Sequence, residues 1–474
     1  DDAEDDAEDD AEDDAEDDAE DDAEDDAEDD AEDDAEDDAE DDAEDDAEDD
    51  AEDDAEDDAE DDGEDDAEDD AEDDGEDDAE DSLDYDDLSS IEVALESLID
   101  DVFEVAFDAS GDVIARNELL LLVDDDDLPK LDQLDRWQQI ERESLPRFES
   151  TLIRLEVPNN QPLDSALLAV RDLVPNASID YNHGYEITRS EPSEIDSLVQ
   201  TTASAGYKHS EVLLSADLRI GVIDSGVLDT HDALRHSNIQ NRSFLSNARR
   251  RETRHGTAVA SLLIGHSEQL IGMTPNAELF AAEAFFDDPQ LGLVSTSFNL
   301  VRALEWMAEN EVHVVNMSLT GPDNEVLQRA LELVSEEDII IVAAAGNEGP
   351  AAPPLYPAAY PNVLAVTAID EQSRPFLRAV RGPHLDFAAP GVRVMVADGA
   401  KASGYRQATG TSFAAPVIAA LVLHYQQANP SMPRSDLIEI MRKDTIDLGP
   451  VGHDSTFGWG LAGSSLRAAS RTQK

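Results

Sequence analysis

Four polar residues stand where long apolar segments end or begin, and together they could carry out acyl transfer. Asp224 closes the apolar run LRIGVID, and His255 opens the segment HGTAVASLLIG. Asn347 follows the run DIIIVAAAG, and Ser412 stands at the start of SFAAPVIAALVL. This chemistry needs a carboxylate that orients a base, an imidazole base, an amide donor for an oxyanion and a hydroxyl nucleophile.

Each of these residues also has a purely structural interpretation. An Asp after a strand or a Ser before a helix often caps the helix that follows, and a Gly-Asn pair is typical of a turn. A single His is more often a hydrogen-bonded structural residue than a base. The chain order Asp, His, Asn, Ser, with each residue at the end of an apolar element, favours the catalytic interpretation.

The elements around these residues predict an α/β fold with a buried parallel sheet. Residues 218–227, 313–322 and 338–349 are short apolar runs with polar residues at their carboxyl ends, as in strands covered on both faces. Residues 254–265 and 408–428 are longer and predict helices. Open α/β sheets bind their ligands at the carboxyl ends of the strands, so we expect the four side chains to meet there.

The blocks DSG (224–226), HGTAVAS (255–261), AAAGNEG (343–349) and GTSFAAP (410–416) resemble the four signature segments of the subtilisin-like (S8) serine peptidases. The resemblance covers about residues 207–470, including the segment FGWGLAG near the C-terminus. It implies a doubly wound, mostly parallel sheet with helices on both faces.

The resemblance also implies a role for each residue of the site. Asp224 orients His255, and His255 takes the proton of Ser412 as Ser412 attacks the substrate carbonyl. Asn347 and the backbone N–H of Ser412 hold the oxyanion. The residues expected to bind substrate are Ser318, Leu319, Thr320, Ala344, Ala345, Gly346 and Leu355.

Two of the substrate-binding positions depart from the family pattern. Thr320 replaces the usual Gly of the strand that pairs with substrate. Leu355 replaces a small residue at the floor of the pocket that binds the substrate side chain just before the cleaved bond. Both changes narrow this pocket and disfavour a large aromatic side chain. Residues 265–275 form a shorter loop than the calcium-binding loop of several relatives, so no metal site is expected there.

A small α+β domain is expected at residues 82–187, before a linker at 188–206 and a peptidase domain at 207–474. The stretch RLEVPNNQPLDSALLAVRDLVPNASIDYNHGY is similar to the ferredoxin-like propeptides of the family, which assist folding and inhibit the enzyme. The alternative is an accessory domain that is never removed. The periodicity predicts alternating helices and strands, beginning with a helix, at 90–107, 113–123, 128–145, 150–158, 163–174 and 177–187.

The first 80 residues are twenty copies of a four-residue unit, DDAE or DDGE, with three acids in each and a charge of −60. One small apolar side chain per unit cannot offset the entropy of ordering, so residues 1–81 are expected to be disordered. One interpretation of this tract is a solubilising spacer. The other is loose binding of Ca²⁺ or Mg²⁺ by many carboxylates, and no other cofactor is expected.

Composition excludes several functions. The formal charge of −89 excludes binding of nucleic acid or an anionic membrane as the main activity, although residues 201–474, with 30 acids and 22 bases, carry only −8. The absence of cysteine excludes disulfides and thiolate chemistry. No apolar stretch reaches about 18 residues, so no membrane span is expected.

These observations predict a serine endopeptidase that acts on proteins or peptides and is made as a zymogen, with the upstream domain as its intramolecular partner. The chain begins at Asp1 without a targeting segment, so either such a segment has been removed or the sequence is a fragment. We expect a secreted or periplasmic enzyme. One alternative is a catalytically silent protein that holds peptides in the cleft. The other is a protein whose acidic repeat binds cations or acts as a spacer, with the peptidase merely attached.

Overall fold

The computed structural model describes residues 104–133, 137–187, 207, 215, 217–246 and 251–467. The tract at 1–81, the linker at 188–206 and most of the predicted helix at 90–107 lie outside these residues. Within the described ranges, no helix combines the length and the hydropathy needed to cross a bilayer.

The upstream domain is an antiparallel sheet with one α-helix on its face. Its elements are β1 Val105–Phe107, β2 Val113–Asp124, β3 Gln138–Leu145, β4 Ser150–Glu156, α1 Leu163–Leu173 and β5 Ser178–Glu186, with 3₁₀ helices at Asp125–Gln133 and Pro146–Phe148. The strand order β3-β4-β2-β5 is ferredoxin-like, and β1 pairs with β2. The first 3₁₀ helix takes the place of the first helix of that fold. Helix α1 buries Ala166 and Val170 against this sheet.

Two of the helices predicted in this domain are wrong where the structure describes them. Val105–Phe107, the end of the helix predicted at 90–107, is strand β1. The second half of the helix predicted at 128–145 is β3, which pairs with β4. Arg154 of β4 donates to Glu118 on one neighbouring strand and to Glu141 on the other. This cross-strand pairing outweighs the helical spacing of the polar residues.

The peptidase domain contains a nine-stranded sheet in which only one pair of neighbours is antiparallel. Its elements are β6 Arg219–Asp224, β7 Ile239–Ser243, α2 Arg254–Ile264, β8 Glu278–Glu283, β9 Phe286–Asp288, β10 Gly292–Thr296, α3 Ser297–Glu309, β11 Val314–Met317, α4 Glu325–Glu336, β12 Ile340–Ala344, β13 Val363–Ile369, β14 Leu385–Pro390, β15 Val394–Ala397, β16 Tyr405–Ala408, α5 Thr411–Ala428, α6 Arg434–Lys443, β17 Thr445–Ile446 and β18 Leu461–Ala462. The strand order is β17-β18-β14-β13-β12-β11-β6-β8-β7.

Helices cover both faces of this sheet, which confirms the predicted doubly wound fold. On β6, Ile220 and Val222 face the core built with α2 and α5, while Ile223 faces the core built with α3 and α4. Strand β6 lies between β8 and β11. The strands that follow β6 in sequence, β7 and β8, lie on one side of it, and β11 and the later strands lie on the other side, so the strand order reverses at β6. The carboxyl ends of β6 and β11 form the crevice where such sheets bind ligands.

The upstream sheet continues into the peptidase domain. Strand β5 pairs antiparallel with β10, and β10 pairs with β9, so that a sheet of seven strands crosses the predicted domain boundary. The end of β5 also lies beside the segment that follows β11, because Glu186 forms an isolated bridge with Thr320.

Candidate active site

Asp224 and His255 meet at the carboxyl end of β6. Asp224 is the last residue of β6, and His255 is the second residue of α2. Both are buried, with 0% and 5% of their surface exposed. Nδ1 of His255 donates to the Asp224 carboxylate, at 2.9 Å from each oxygen. This bond fixes the ring and leaves Nε2 as the nitrogen that can accept a proton.

The approach of α2 to β6 depends on the glycine that follows the histidine. A Cβ on Gly256 would lie 2.3 Å from the carbonyl oxygen of Ser225, which is closer than real Cβ contacts. The N–H of Gly256 also donates to Ser225 Oγ at 2.9 Å. The glycine therefore lets His255 reach the carboxylate.

Ser412 lies at the N-terminus of α5 and is 5% exposed. Its hydroxyl donates to the carbonyl oxygen of Ser318 over a long 3.5 Å, while Nε2 of His255 has no hydrogen-bond partner among the described residues. Catalytic hydrogen bonds are often long or unformed without substrate. The backbone N–H of Ser412 is a first-turn group, which has no acceptor within its own helix.

Asn347 is held by the residue that precedes the serine. Its Oδ1 accepts from the backbone N–H of Thr411 at 3.0 Å and from Thr411 Oγ1 at 3.1 Å. Thr411 Oγ1 in turn accepts from the N–H of Gly346 at 3.1 Å. With its oxygen occupied, Asn347 presents its Nδ2 beside Gly410, where an added Cβ would lie 3.3 Å from that nitrogen. Sequence reasoning missed Thr411, although it lies inside the quoted block GTSFAAP.

The predicted substrate-binding residues divide into two groups. The side chains of Leu319, Ala344 and Ala345 are buried in the two cores, so these residues could offer only backbone groups to a peptide. Thr320 and Leu355 line one cavity of about 400 Å³ together with residues of the upstream domain. A Cβ on Gly346 would lie 2.7 Å from Leu355 Cδ1, so Leu355 reaches the end of β12.

The end of β5 lies along this cleft. Glu186 and Thr320 exchange two backbone hydrogen bonds, of 2.8 and 3.0 Å. On the other side, the N–H of Ile187 donates to the carbonyl of Leu293 at 3.1 Å. Burial and the nearby Glu348 carboxylate raise the pKa of Glu186.

Two further side chains of β5 bind the N-termini of α3 and α4. The N–H of Phe298 donates to Asn182 Oδ1 at 3.1 Å, and the N–H of Glu325 donates to Asp180 Oδ2 at 2.8 Å. Burial raises the pKa of the Asp180 carboxyl. These oxygens satisfy amide groups that have no acceptor within their own helices. Asp180 and Asn182 alternate on one face of a strand, which was the available signal for this role.

The same interface buries a carboxyl group of α3. Glu305 is 6% exposed and accepts from the N–H of Arg147 in the upstream domain at 3.3 Å. Burial raises its pKa to about 7, and the neighbouring Glu309 and Glu143 add to the rise. Among the described residues, no three His, Asp or Glu side chains cluster so as to hold a metal ion.

Comparison with known proteins gives a family match over the peptidase domain. Residues 215–460 match the Subtilase family of peptidases. The chain is 33% identical over 252 residues to the minor extracellular protease Epr of Bacillus subtilis, a match that covers 52% of this chain but 38% of that protein. It is 31% identical over 269 residues to subtilisin BL of Lederbergia lenta, covering 56% of this chain and 94% of that protein.

Two solved structures share the fold at lower identity. Fervidolysin from Fervidobacterium pennivorans superimposes with a TM-score of 0.59 and 18% identity, over 74% of this chain and 61% of that chain. The epidermin leader peptide processing protease of Staphylococcus aureus gives a TM-score of 0.58 and 17% identity, over 74% of this chain and 98% of that chain.

Proposed function

Because this chain belongs to the subtilase family of serine peptidases, we propose that it hydrolyses peptide bonds through Asp224, His255 and Ser412 and an acyl-enzyme intermediate. The buried bond between the Asp224 carboxylate and His255 Nδ1 carries this proposal. It fixes the imidazole tautomer that a base needs, at the sheet edge where α5 begins.

In the first half of the reaction, the Ser412 hydroxyl turns from the Ser318 carbonyl towards Nε2 of His255. Nε2 takes the proton while Oγ attacks the substrate carbonyl carbon, and the imidazolium is stabilised by Asp224. The oxyanion accepts hydrogen bonds from Asn347 Nδ2 and from the N–H of Ser412, at a helix N-terminus that favours negative charge. His255 then protonates the leaving amine, and water repeats these steps on the acyl-enzyme.

The pocket before the cut accepts small side chains in this proposal. Thr320 and Leu355 both line the cavity of about 400 Å³, and Leu355 also packs against the backbone of Gly346. We expect Leu355→Gly to raise the kcat/KM for a peptide with Phe before the cut relative to one with Ala. An unchanged ratio would contradict the role of Leu355.

The upstream domain acts as an inhibitory propeptide in this proposal. The two backbone bonds between Glu186 and Thr320 put β5 in the place of a substrate strand, between Thr320 and Leu293. Asp180 and Asn182 add bonds to two helices of the peptidase domain, so the domain also holds α3 and α4 in position. A strand held this way blocks the cleft until it is released.

The register of this pair points to one bond of the chain. Glu186 lies opposite Thr320 in an antiparallel pair, so the position opposite Ser318 is two residues beyond Glu186. If the pairing continues in this register, that position is Thr188, which lies outside the described residues. The Ser318 carbonyl accepts from Ser412 Oγ, and we therefore expect self-cleavage between Thr188 and Arg189.

A secreted or periplasmic location accords with the relative named as extracellular.

Labelling with a fluorophosphonate tests whether the site is a peptidase centre. The reagent reacts with an activated serine, and mass spectrometry of the digested chain locates the label. We expect the label on Ser412, and none on that residue in Ser412→Ala. A protein that takes no label on Ser412 and shows no cleavage between Thr188 and Arg189 would be a catalytically silent relative that only holds peptides in the cleft.

A further inference from the structure

The carbonyl group of Ser412 lacks the hydrogen bond that its own helix would normally supply. In an α-helix, this carbonyl accepts from the N–H four residues later, and that residue is Pro416. Proline has no N–H, and its ring crowds the carbonyl four residues before it. Because Ser412 is almost fully buried, its carbonyl needs a donor from elsewhere in the protein.

Ser318 supplies this donor. Its hydroxyl donates to the Ser412 carbonyl at 2.8 Å, and Ser318 is 0% exposed. The carbonyl of Ser318 accepts from Ser412 Oγ at 3.5 Å. One residue just after β11 therefore contacts both the backbone and the side chain of Ser412.

Asn316 fixes the direction of the Ser318 hydroxyl. Its Nδ2 donates to Ser318 Oγ at 2.9 Å, so the single hydroxyl proton is left for the Ser412 carbonyl. Asn316 is also 0% exposed, and its Oδ1 has no hydrogen-bond partner in the described part of the chain. An unsatisfied buried oxygen lowers the stability of the folded chain. The contribution of Asn316 is therefore the bond that its Nδ2 donates to Ser318 Oγ.

We propose that Ser318 is a positioning residue for the nucleophile, whose hydroxyl replaces the missing helical donor at the Ser412 carbonyl. The series from Asn316 through Ser318 to Ser412 ties the start of α5 to the end of β11, and so sets where Ser412 Oγ stands relative to His255. This role rests on the proposed function and is separate from substrate binding by the Ser318 backbone.

The test compares two serines with the same hydrogen-bond pattern in the full chain. Ser318→Ala removes the donor, and Ser261→Ala is the matched control. Ser261 is also 0% exposed; its hydroxyl donates to the Ala258 carbonyl at 2.7 Å and accepts from the N–H of Ala397 at 3.0 Å. The fluorophosphonate labelling rate is measured against reagent concentration, which separates the maximal rate from the half-saturating concentration. Thermal unfolding shows whether each variant is folded.

We expect Ser318→Ala to lower the maximal rate by about 10- to 100-fold, because small misplacements of a nucleophile are costly. The half-saturating concentration should change less than about twofold, and Ser261→Ala should keep the wild-type rate. If Ser318→Ala does not fold, Ser318→Cys keeps its shape with a weaker donor and should show the same loss of rate. Equal rates for the folded Ser318 and Ser261 variants would overturn the proposal, while a wild type with neither label on Ser412 nor cleavage between Thr188 and Arg189 would overturn the proposed function instead.

A second background distinguishes the missing donor from other effects of the substitution. Pro416→Ala restores an N–H to the position that serves the Ser412 carbonyl. In this background, we expect Ser318→Ala to cost less than about threefold in the maximal rate, since the carbonyl then has a donor within its helix. The same loss in both backgrounds would contradict the role of Ser318 as a replacement donor.

Discussion

Four helices of the peptidase domain form two groups whose N-termini are hydrogen-bonded differently. The first group is α2 and α5, and the second is α3 and α4. At α2 and α5, side chains of the peptidase domain bond to one another, while Nε2 of His255 has no partner among the described residues. At α3 and α4, the N–H groups of Phe298 and Glu325 are satisfied by Asn182 and Asp180 of the upstream domain. The first group thus leaves one ring nitrogen without a partner in the described part of the chain, whereas the second is capped by side chains of the upstream domain.

Loss of the base should have the largest effect and should be confined to the first group. In a subtilisin, removal of the triad base lowers kcat by about 10⁶, and we expect a loss of that order for His255→Ala. The hydrogen bonds at α3 and α4 do not involve His255, so thermal unfolding should change little. Turnover near that of wild type in a peptide assay would remove His255 from the reaction.

Loss of the amide donor should have a smaller effect in the same group. In a subtilisin, removal of the corresponding donor lowers kcat by about 10²–10³, and the same range is expected for Asn347→Ala. The N–H of Ser412 remains as a second donor, so activity should not vanish. KM should stay within about threefold, because the lost bond forms mainly in the transition state. A larger change in KM than in kcat would place Asn347 in substrate binding instead.

Removal of the two β5 side chains tests the second group. Each side chain satisfies one helix N-terminus, which is worth about 0.5–2 kcal/mol. In a Ser412→Ala chain, which keeps the upstream domain attached, Asp180→Ala with Asn182→Ala should speed hydrogen exchange at Phe298 and Glu325 by about 2- to 30-fold each. The exposed Asp172 of α1 gives the control Asp172→Ala. Unchanged exchange at both amides would show that the upstream domain does not hold these helices.

The last expected effect is a dependence of stability on pH at Glu305. Its pKa is about 7 in the folded chain, against an ordinary value of 4.5. Below 4.5 the carboxyl is protonated in both states, and between 4.5 and about 7 it ionises first in the unfolded chain, so stability falls as pH rises. Glu305→Gln removes this loss.

Glu305→Gln should therefore unfold at the wild-type temperature near pH 4.5 and about 5 °C above it at pH 8. The exposed Glu336 of α4 gives the control Glu336→Gln, for which no such gain is expected. A difference from wild type that is the same at both pH values would show that ionisation of Glu305 is not its cause.

The sequence predicted the first group of helix ends far better than the second. Asp224, His255, Asn347 and Ser412 each sit in a short block whose apolar neighbours specify a strand or a helix locally. Asp180 and Asn182 act on amides 145 and 116 residues away, so no local pattern contains the partners. Strand β3 was missed for a related reason, since its pairing with β4 and not its own spacing decides its conformation.

The central claim is that Ser412 attacks a peptide carbonyl in the cleft that β5 now occupies. Mass measurement and N-terminal sequencing of the purified full chain, beside Ser412→Ala, test it most directly. The account predicts that the wild type yields a fragment beginning at Arg189, while Ser412→Ala keeps the bond between Thr188 and Arg189 intact. Cleavage at that bond in both proteins, or an uncut wild type that fails to hydrolyse peptides, would contradict the claim.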